Sequence, residues 1–269
     1  MEKKQKGDWE KEVSEIYRRI SQQLPSSNFL AIDVLLHGIA KVNDKKVLDV
    51  GSYLGDSSLR ILQAGAREVY GVDIRQDWIE KSNKSYANIP NINFGFIDKD
   101  KVVSGVTSKY ELAIATFVHP VISDVEELKR MFANTAAYLA QGASLYLLSL
   151  SPKSFFRDKG QVFRHYNHGL PKSGVYRSGE MFPNSILTNN GDLFEFYDTC
   201  WESDYLENLA KEVGFRKLTV HEISASSSSP LVLGSIDSSI LKTQQITGVD
   251  YKGSPELEIP LYEVIQLSY

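Results

Sequence analysis

Three aspartates, Asp49, Asp73 and Asp98, each close a short apolar run, and the first is followed by a turn with glycine at both ends, Gly51-Ser52-Tyr53-Leu54-Gly55. A strand that feeds a helix through such a turn leaves helix N–H groups and close-lying backbone free to face a ligand. Asp73 lies 22 residues after Gly51, where a carboxylate is placed to accept hydrogen bonds from a ribose. Open α/β sheets bind ligands beyond the carboxyl ends of their strands, and all three acids fall there. His119 stands just past a fourth apolar run, and histidine is the side chain whose ordinary pKa suits proton transfer at pH 7. His165 and His168 flank Tyr166-Asn167 and could line a substrate pocket. A metal would need more ligands at suitable spacing, so none is expected. His37 and His221 read as structural.

These residues need a frame, and the spacing of apolar positions supplies one. Trp9, Val13, Ile16, Ile20 and Leu24 mark an amphipathic helix over about 8–24 that Pro25 ends. Ser26 and Ser27 can cap a second helix running to about Asn43. From residue 46 strands and helices alternate: strand 47–50, helix 56–64, strand 68–73, helix 76–88, strand 92–97, strand 110–117, helix 124–140 closed by Gln141-Gly142, and strand 143–150. Strands that read as near-continuous apolar runs between helices imply a parallel sheet covered on both faces. The alternation stops at Ser151-Pro152. Residues 151–200 are rich in aromatics, Gly, Asn and Ser, with short runs at 161–166 and 193–197 that read as strands of an antiparallel insertion. A helix over 203–213 ending at Gly214, a strand at 216–223, a four-serine turn at 226–229 and a last strand at 259–267 complete the chain.

The chain has 269 residues, 42% of them hydrophobic, with 30 basic and 34 acidic residues. That length supports one sizeable core, so a single domain over 1–269 is expected: cover helices at 1–44, a cofactor-binding core at 45–150, a substrate-lid insertion at 151–200, and the rest of the core at 201–269. The formal net charge of −4 and the lack of a basic face argue against nucleic acid as a partner. Cys200 is the only cysteine, which excludes an internal disulfide and a cysteine metal cluster. With no signal-length apolar run at the N-terminus and nothing near a membrane span, a cytoplasmic protein without a membrane partner is expected.

Taken together, Asp49-Val50-Gly51-Ser52-Tyr53-Leu54-Gly55, Asp73, Asp98, Leu139–Gly142 and Trp201–Phe215 resemble the class I S-adenosylmethionine-dependent methyltransferases. The resemblance covers about 45–150 and 200–223. It implies a Rossmann-like α/β fold: a seven-stranded, mainly parallel sheet with helices on both faces, N-terminal cover helices and an antiparallel insertion after the fifth strand. It also implies that Gly51, Ser52, Tyr53 and Gly55 cradle the methionine part of S-adenosyl-L-methionine. Asp49 would hold the turn or meet the methionine amino group. Asp73 would bind both ribose hydroxyls. Asp98 and Ile97 would lie by the adenine, with Ile74 and Trp78 lining it. Thr116 and Phe117 would stand beside the transferred methyl group. His119 would be a base or orienting group on the acceptor side, with Tyr17, His165, Tyr166 and His168 near the acceptor. One departure stands out: the family's middle glycine is Tyr53, which costs roughly 1–2 kcal/mol if φ is positive there. A ring at this position either burdens the cofactor or packs over its methionine chain.

The expected enzyme is a methyltransferase acting on a small molecule at nitrogen, oxygen or carbon, as monomer or homodimer. Residues 115–117 and 126–132 are similar to toxoflavin and glycine N-methyltransferase types. Two alternatives remain open, a non-catalytic methyltransferase-like binding subunit and a protein-directed methyltransferase. A dinucleotide-binding oxidoreductase fits less well. It wants Gly-x-Gly-x-x-Gly, whereas this turn lacks the middle glycine and Asp56 would point a negative charge at the phosphates. A sulfonium cofactor without phosphate tolerates Asp56.

Overall fold

The computed structural model describes residues 31–151, 168–169, 176–187, 193–223 and 262–269. The expected first helix and the serine turn at 226–229 lie outside them. The chain divides into two compact units, of which one comprises Leu35–Ser149, Glu202–His221 and Val264–Tyr269.

In that unit the strands are β1 (Lys46–Val50), β2 (Glu68–Asp73), β3 (Ile92–Phe96), β4 (Tyr110–Thr116) and β5 (Leu139–Leu150). The helices between them are α1 (Asp56–Gln63), α2 (Gln76–Ser85) and α3 (Val125–Tyr138). Parallel pairing joins β3 to β2, β2 to β1, β1 to β4 and β4 to β5. The seven-stranded sheet has the order β3-β2-β1-β4-β5-β10-β9, with β9 at Lys217–Ile223 and β10 at Tyr262–Ser268. Tyr269 at the end of β10 meets Gly142 and Ala143 near the start of β5, so β10 runs antiparallel to its neighbours. Val47, Leu48, Leu112–Ala115 and Leu145–Leu148 are buried as continuous runs, as a sheet covered on both faces requires. Right-handed crossovers put α1 and α2 on one face and α3 on the other, because the chain steps outward from β1 in one direction and then from β4 in the opposite one. The reversal falls between β1 and β4, and their carboxyl ends open the crevice where such sheets take ligands.

Asp124 caps α3 by accepting the Glu127 N–H at 2.8 Å, and Leu128, Phe132 and Ala136 form its buried stripe. The ring of Phe132 stands 6.2 Å from that of Phe215, which follows helix α4 (Ser203–Glu212) and its terminal Gly214. Gln141-Gly142, expected to close α3, instead lies inside β5. The helix passes directly into the strand at Leu139, and the register against β4 shifts between Tyr110 and Leu112, with Gly142 at φ +81°. Helix α2 stops three residues short of the expected Asn88, where Tyr86 turns its ring onto Phe94 at 5.6 Å. The second expected helix is helical from Ala31, but Val34–Ile39 is a π-helix, with the Ala40 N–H reaching back to the Leu35 carbonyl at 2.8 Å. His37 is exposed on it, and His221 lies in β9 within 3.2 Å of Gln266.

The other unit contains a three-stranded antiparallel sheet of β6 (His168–Gly169), β7 (Met181–Leu187) and β8 (Leu193–Thr199). The expected strand at 193–197 is β8; that at 161–166 lies outside the described residues. β7 was not anticipated, because Pro183 interrupts its pattern. Pro183 pairs with Tyr197, while β6 covers only Ser185 and Ile186, so β7 is an edge on that side at the proline. Phe182 and Phe196 are buried, and Tyr176 packs on Phe182 at 5.4 Å. Cys200 is buried as a free thiol.

Phe132 is fully buried, so Phe132→Ala is expected to cost about 3–5 kcal/mol. Urea unfolding should show a lower midpoint at an unchanged slope.

Candidate functional site

The turn after β1 is shaped by two close approaches. A Cβ on Gly51 would lie 2.5 Å from Val118 Cγ2, and Gly51 has φ +71°. A Cβ on Gly55 would lie 2.6 Å from the Tyr86 ring and 2.7 Å from that of Phe94, at φ +90°. Both positions therefore exclude side chains twice over, by backbone conformation and by space. Between them Tyr53 has φ +51°. The left-handed backbone expected for the missing glycine is present, and a tyrosine occupies it at a cost of roughly 1–2 kcal/mol. Several contacts oppose that cost. The Tyr53 N–H donates to Asp73 Oδ2 at 3.0 Å, and its carbonyl accepts from Ser82 Oγ at 3.2 Å. Its ring meets Trp78 edge-on at 4.5 Å, an arrangement worth about 0.5–1.5 kcal/mol. The Arg75 guanidinium lies over the same indole at 4.9 Å. Trp78 is thus half-buried in a stack at the strand ends, while Ile79 and Ser82 take the inner face of α2.

Two carboxylates are buried here. Asp73 accepts from Tyr53 on one oxygen and from the Arg75 N–H on the other, at 3.0 Å each. Burial pushes its pKa up, opposed by these N–H groups and the Arg75 charge. Asp49 is completely buried. Its Oδ2 accepts from Ser57 Oγ at 2.6 Å and Ser58 Oγ at 2.5 Å, both in the first turn of α1. Its Oδ1 has no hydrogen-bond partner. Loss of water raises the Asp49 pKa to about 6, the two serines oppose the rise, and the charge of Asp73 adds to it. Two more buried polar atoms lack partners, Ser52 Oγ in the glycine turn and His119 Nδ1. Buried polar groups are nearly always satisfied, so each of these three atoms stands open to a further hydrogen bond.

At the edge of the sheet Ile97 extends the ladder by donating to the Asp73 carbonyl at 2.9 Å. Asp98 follows, partly exposed, paired with Lys101 at 2.8 Å, and this hydrogen bond lowers its pKa. Ile74 is 45% exposed beside Asp73. After β4, Phe117 turns to φ +58° while its N–H stays on the Leu148 carbonyl, and Val118 then reaches Gly51. His119 opens a 3₁₀ turn, His119–Val121, and is only 2% exposed. Burial lowers its pKa to about 3, so the ring is neutral at pH 7 and lacks the proton affinity expected of a base there. Asp56 sits at the start of α1, where Tyr86 donates to it at 3.1 Å.

Asp49, Gly51, Ser52, Tyr53, Gly55, Asp73, Ile74, Trp78, Ile97, Asp98, Thr116, Phe117 and His119 all fall in one unit, Trp78 in the first turn of α2 and the rest on or just beyond strands β1–β4. Tyr17, His165 and Tyr166 lie outside the described residues, and His168 begins β6 in the other unit. Sequence reasoning missed Ser57 and Ser58, whose signal was a pair of hydroxyls in the first turn of the helix after an acid-bearing strand. It also missed Val118 and Arg75, whose contacts depend on the strand order and leave no local trace. Among the described residues, no group of three or more His, Cys, Asp or Glu is placed to hold a metal, and no helix is long and apolar enough to cross a membrane.

Ionising Asp49 opposes folding. Its folded pKa lies above the ordinary 3.8, so the folded chain keeps a proton that the unfolded chain has released. Stability therefore falls as pH rises from about 4 to about 6, by on the order of 3 kcal/mol. Asp49→Asn keeps an acceptor for both serines without the charge. Its thermal midpoint without ligand should exceed wild type by several degrees at pH 7.5, and the gap should close toward pH 4.

No protein-family model matches the chain. Over 110 residues it is 29% identical to a ribosomal protein L11 methyltransferase of Dictyoglomus thermophilum, covering 40% of this chain and 36% of that protein. Over 96 residues it is 30% identical to a provisionally named protein N5-glutamine methyltransferase of Methanocaldococcus jannaschii, covering 36% of this chain and 47% of that one. The matched stretch thus spans between about a third and a half of these curated relatives. Among solved structures, an S-adenosylmethionine-dependent methyltransferase of Mesorhizobium loti superposes with a TM-score of 0.54 at 14% identity, over 91% of this chain and 98% of that one. The strand order, the glycine turn at the β1–β4 reversal and this superposition agree: the chain has the class I S-adenosylmethionine-dependent methyltransferase fold.

Proposed function

We propose that the chain transfers a methyl group from S-adenosylmethionine to a small-molecule acceptor. The observation that carries this reading is the pair of buried carboxylates at the β1–β4 reversal, one with an unpartnered oxygen beside the glycine turn. Such a site suits a cationic nucleoside and repels a pyrophosphate. Asp56 occupies the helix N-terminus that phosphates would need, and Arg75 is held by Trp78 and Asp77. The residues present therefore fit the cofactor. Asp49 Oδ1 would take its ammonium group, and Asp73 would take the ribose hydroxyls on lone pairs left by Tyr53 and Arg75. Ile74, Trp78, Ile97 and Asp98 would border the adenine, and Thr116 and Phe117 the methyl group. When bound, the cofactor supplies a sulfonium methyl that is already strongly electrophilic, so the chain's task is alignment and exclusion of water. His119, neutral at pH 7, serves that task as an orienting hydrogen-bond group. Tyr17, His165, Tyr166 and His168 would meet the acceptor, as the family resemblance implies.

The curated relatives support a second reading, a polypeptide acceptor, since both are named for protein substrates. Incubation with methyl-labelled cofactor and separate metabolite and macromolecule extracts distinguishes the two. Label in a metabolite is expected, and label confined to macromolecules overturns the small-molecule acceptor. Calorimetry should show cofactor binding. No heat and no thermal shift at millimolar cofactor would end the enzyme reading.

A cation on Asp49 favours its ionised form. Affinity should therefore rise as pH passes upward through about 6, and fall by up to about tenfold per pH unit below it. Titrations at pH 5 and 7.5 check this, and Asp49→Asn should bind weakly and lose that dependence.

A further inference from the structure

The contacts of Tyr53 form a closed circuit. Its N–H holds one oxygen of Asp73 at 3.0 Å, and the other oxygen holds the Arg75 N–H at 3.0 Å. The Arg75 guanidinium lies 4.9 Å from the centre of the Trp78 ring, and that indole meets the Tyr53 ring at 4.5 Å and 86°. The single Ser82 O–H lies within reach of both the Trp78 carbonyl, at 2.9 Å, and the Tyr53 carbonyl, at 3.2 Å, and is shared between the two sides. The turn after β1 and the loop after β2 are thereby joined through one carboxylate and one aromatic pair. The Tyr53 ring is engaged by Trp78, on the side of the ribose acid.

A glycine at position 53 could enter the left-handed conformation freely, but it could also leave it. A tyrosine pays to enter and is then held there by Trp78. From this circuit, and resting on the adenosyl site proposed above, we infer that Tyr53 is a positioning residue. Through Trp78 and its own N–H it fixes the Asp73 carboxylate before ligand arrives, and so sets how strongly the chain demands both ribose hydroxyls. Preorganising a bidentate acceptor strengthens a ligand that uses both oxygens more than one that uses a single oxygen.

The test measures binding of adenosine and 2′-deoxyadenosine by calorimetry to wild type, Tyr53→Gly, Trp78→Ala and the double variant, with S-adenosylhomocysteine as the full-length reference. Wild type should prefer adenosine clearly. Tyr53→Gly should weaken adenosine about tenfold and 2′-deoxyadenosine much less, so the preference narrows. Trp78→Ala, which keeps the tyrosine, should narrow it likewise, and the double variant should lose less than the product of the two single losses. Thermal midpoints identify any variant that fails to fold, and Trp78→Ala stands in should Tyr53→Gly do so. Unchanged or tighter adenosine binding by Tyr53→Gly, or equal losses for the two nucleosides, overturns the inference. Failure of the wild type to bind S-adenosylhomocysteine or adenosine would instead remove the adenosyl site itself.

Discussion

The carboxylate of Asp73 accepts hydrogen bonds from two segments that are distant along the chain, Tyr53 and Arg75. Each segment leaves the carboxyl end of a strand, Tyr53 after β1 and Arg75 after β2. The shared acceptor gives both a fixed position relative to β2. Because β1 lies between β2 and β4, fixing the turn after β1 also fixes the distance to the segment after β4, where Val118 closes on Gly51. The strand-end face is therefore a chain of three loops, registered from β2 outward, rather than a set of independent side chains.

Holding two carboxylates in this small region has an electrostatic cost. Asp49 is sealed from water and feels the charge of Asp73, and two serine hydroxyls recover only part of the lost hydration. The residual cost is localised at one oxygen, Asp49 Oδ1. Hydroxyls from the first turn of α1 orient the other oxygen, so the carboxylate cannot swing away to find water. A folded protein that leaves a charge under-satisfied in a fixed direction is poised for a cation there. The cost of ionising Asp49 and the preference for positive charge proposed for this position would share one physical origin.

The parallel strands were the most legible part of the fold, because burial on both faces forces unbroken apolar runs such as Leu112–Ala115 and Leu145–Leu148. Gly51, Gly55, Asp49 and Asp73 were legible by type and spacing. Errors came where tertiary contacts override local pattern. Gln141-Gly142 looks like a helix end, but pairing with β10 draws it into β5 as an irregularity. The capture of Trp78 by Tyr53 and Arg75 left no local trace, since it joins the turn after β1 to the loop after β2. His119 carries a plausible type at a plausible place, and only its burial shows that it is a neutral group. The π-helix at Val34–Ile39 has no counterpart in periodicity, since one extra residue per turn shifts the apolar stripe without breaking it.

The two glycines of the turn are hemmed in from opposite sides, Gly51 by a residue after β4 and Gly55 by rings from α2 and β3. Neither can be exchanged without moving another element of the sheet. Ser52 between them is buried as well, so positions 53 and 54 are where the turn can acquire a new side chain while the frame stays put. Variation in what this face of the sheet presents is thus channelled into two consecutive residues, and a tyrosine occupies the first.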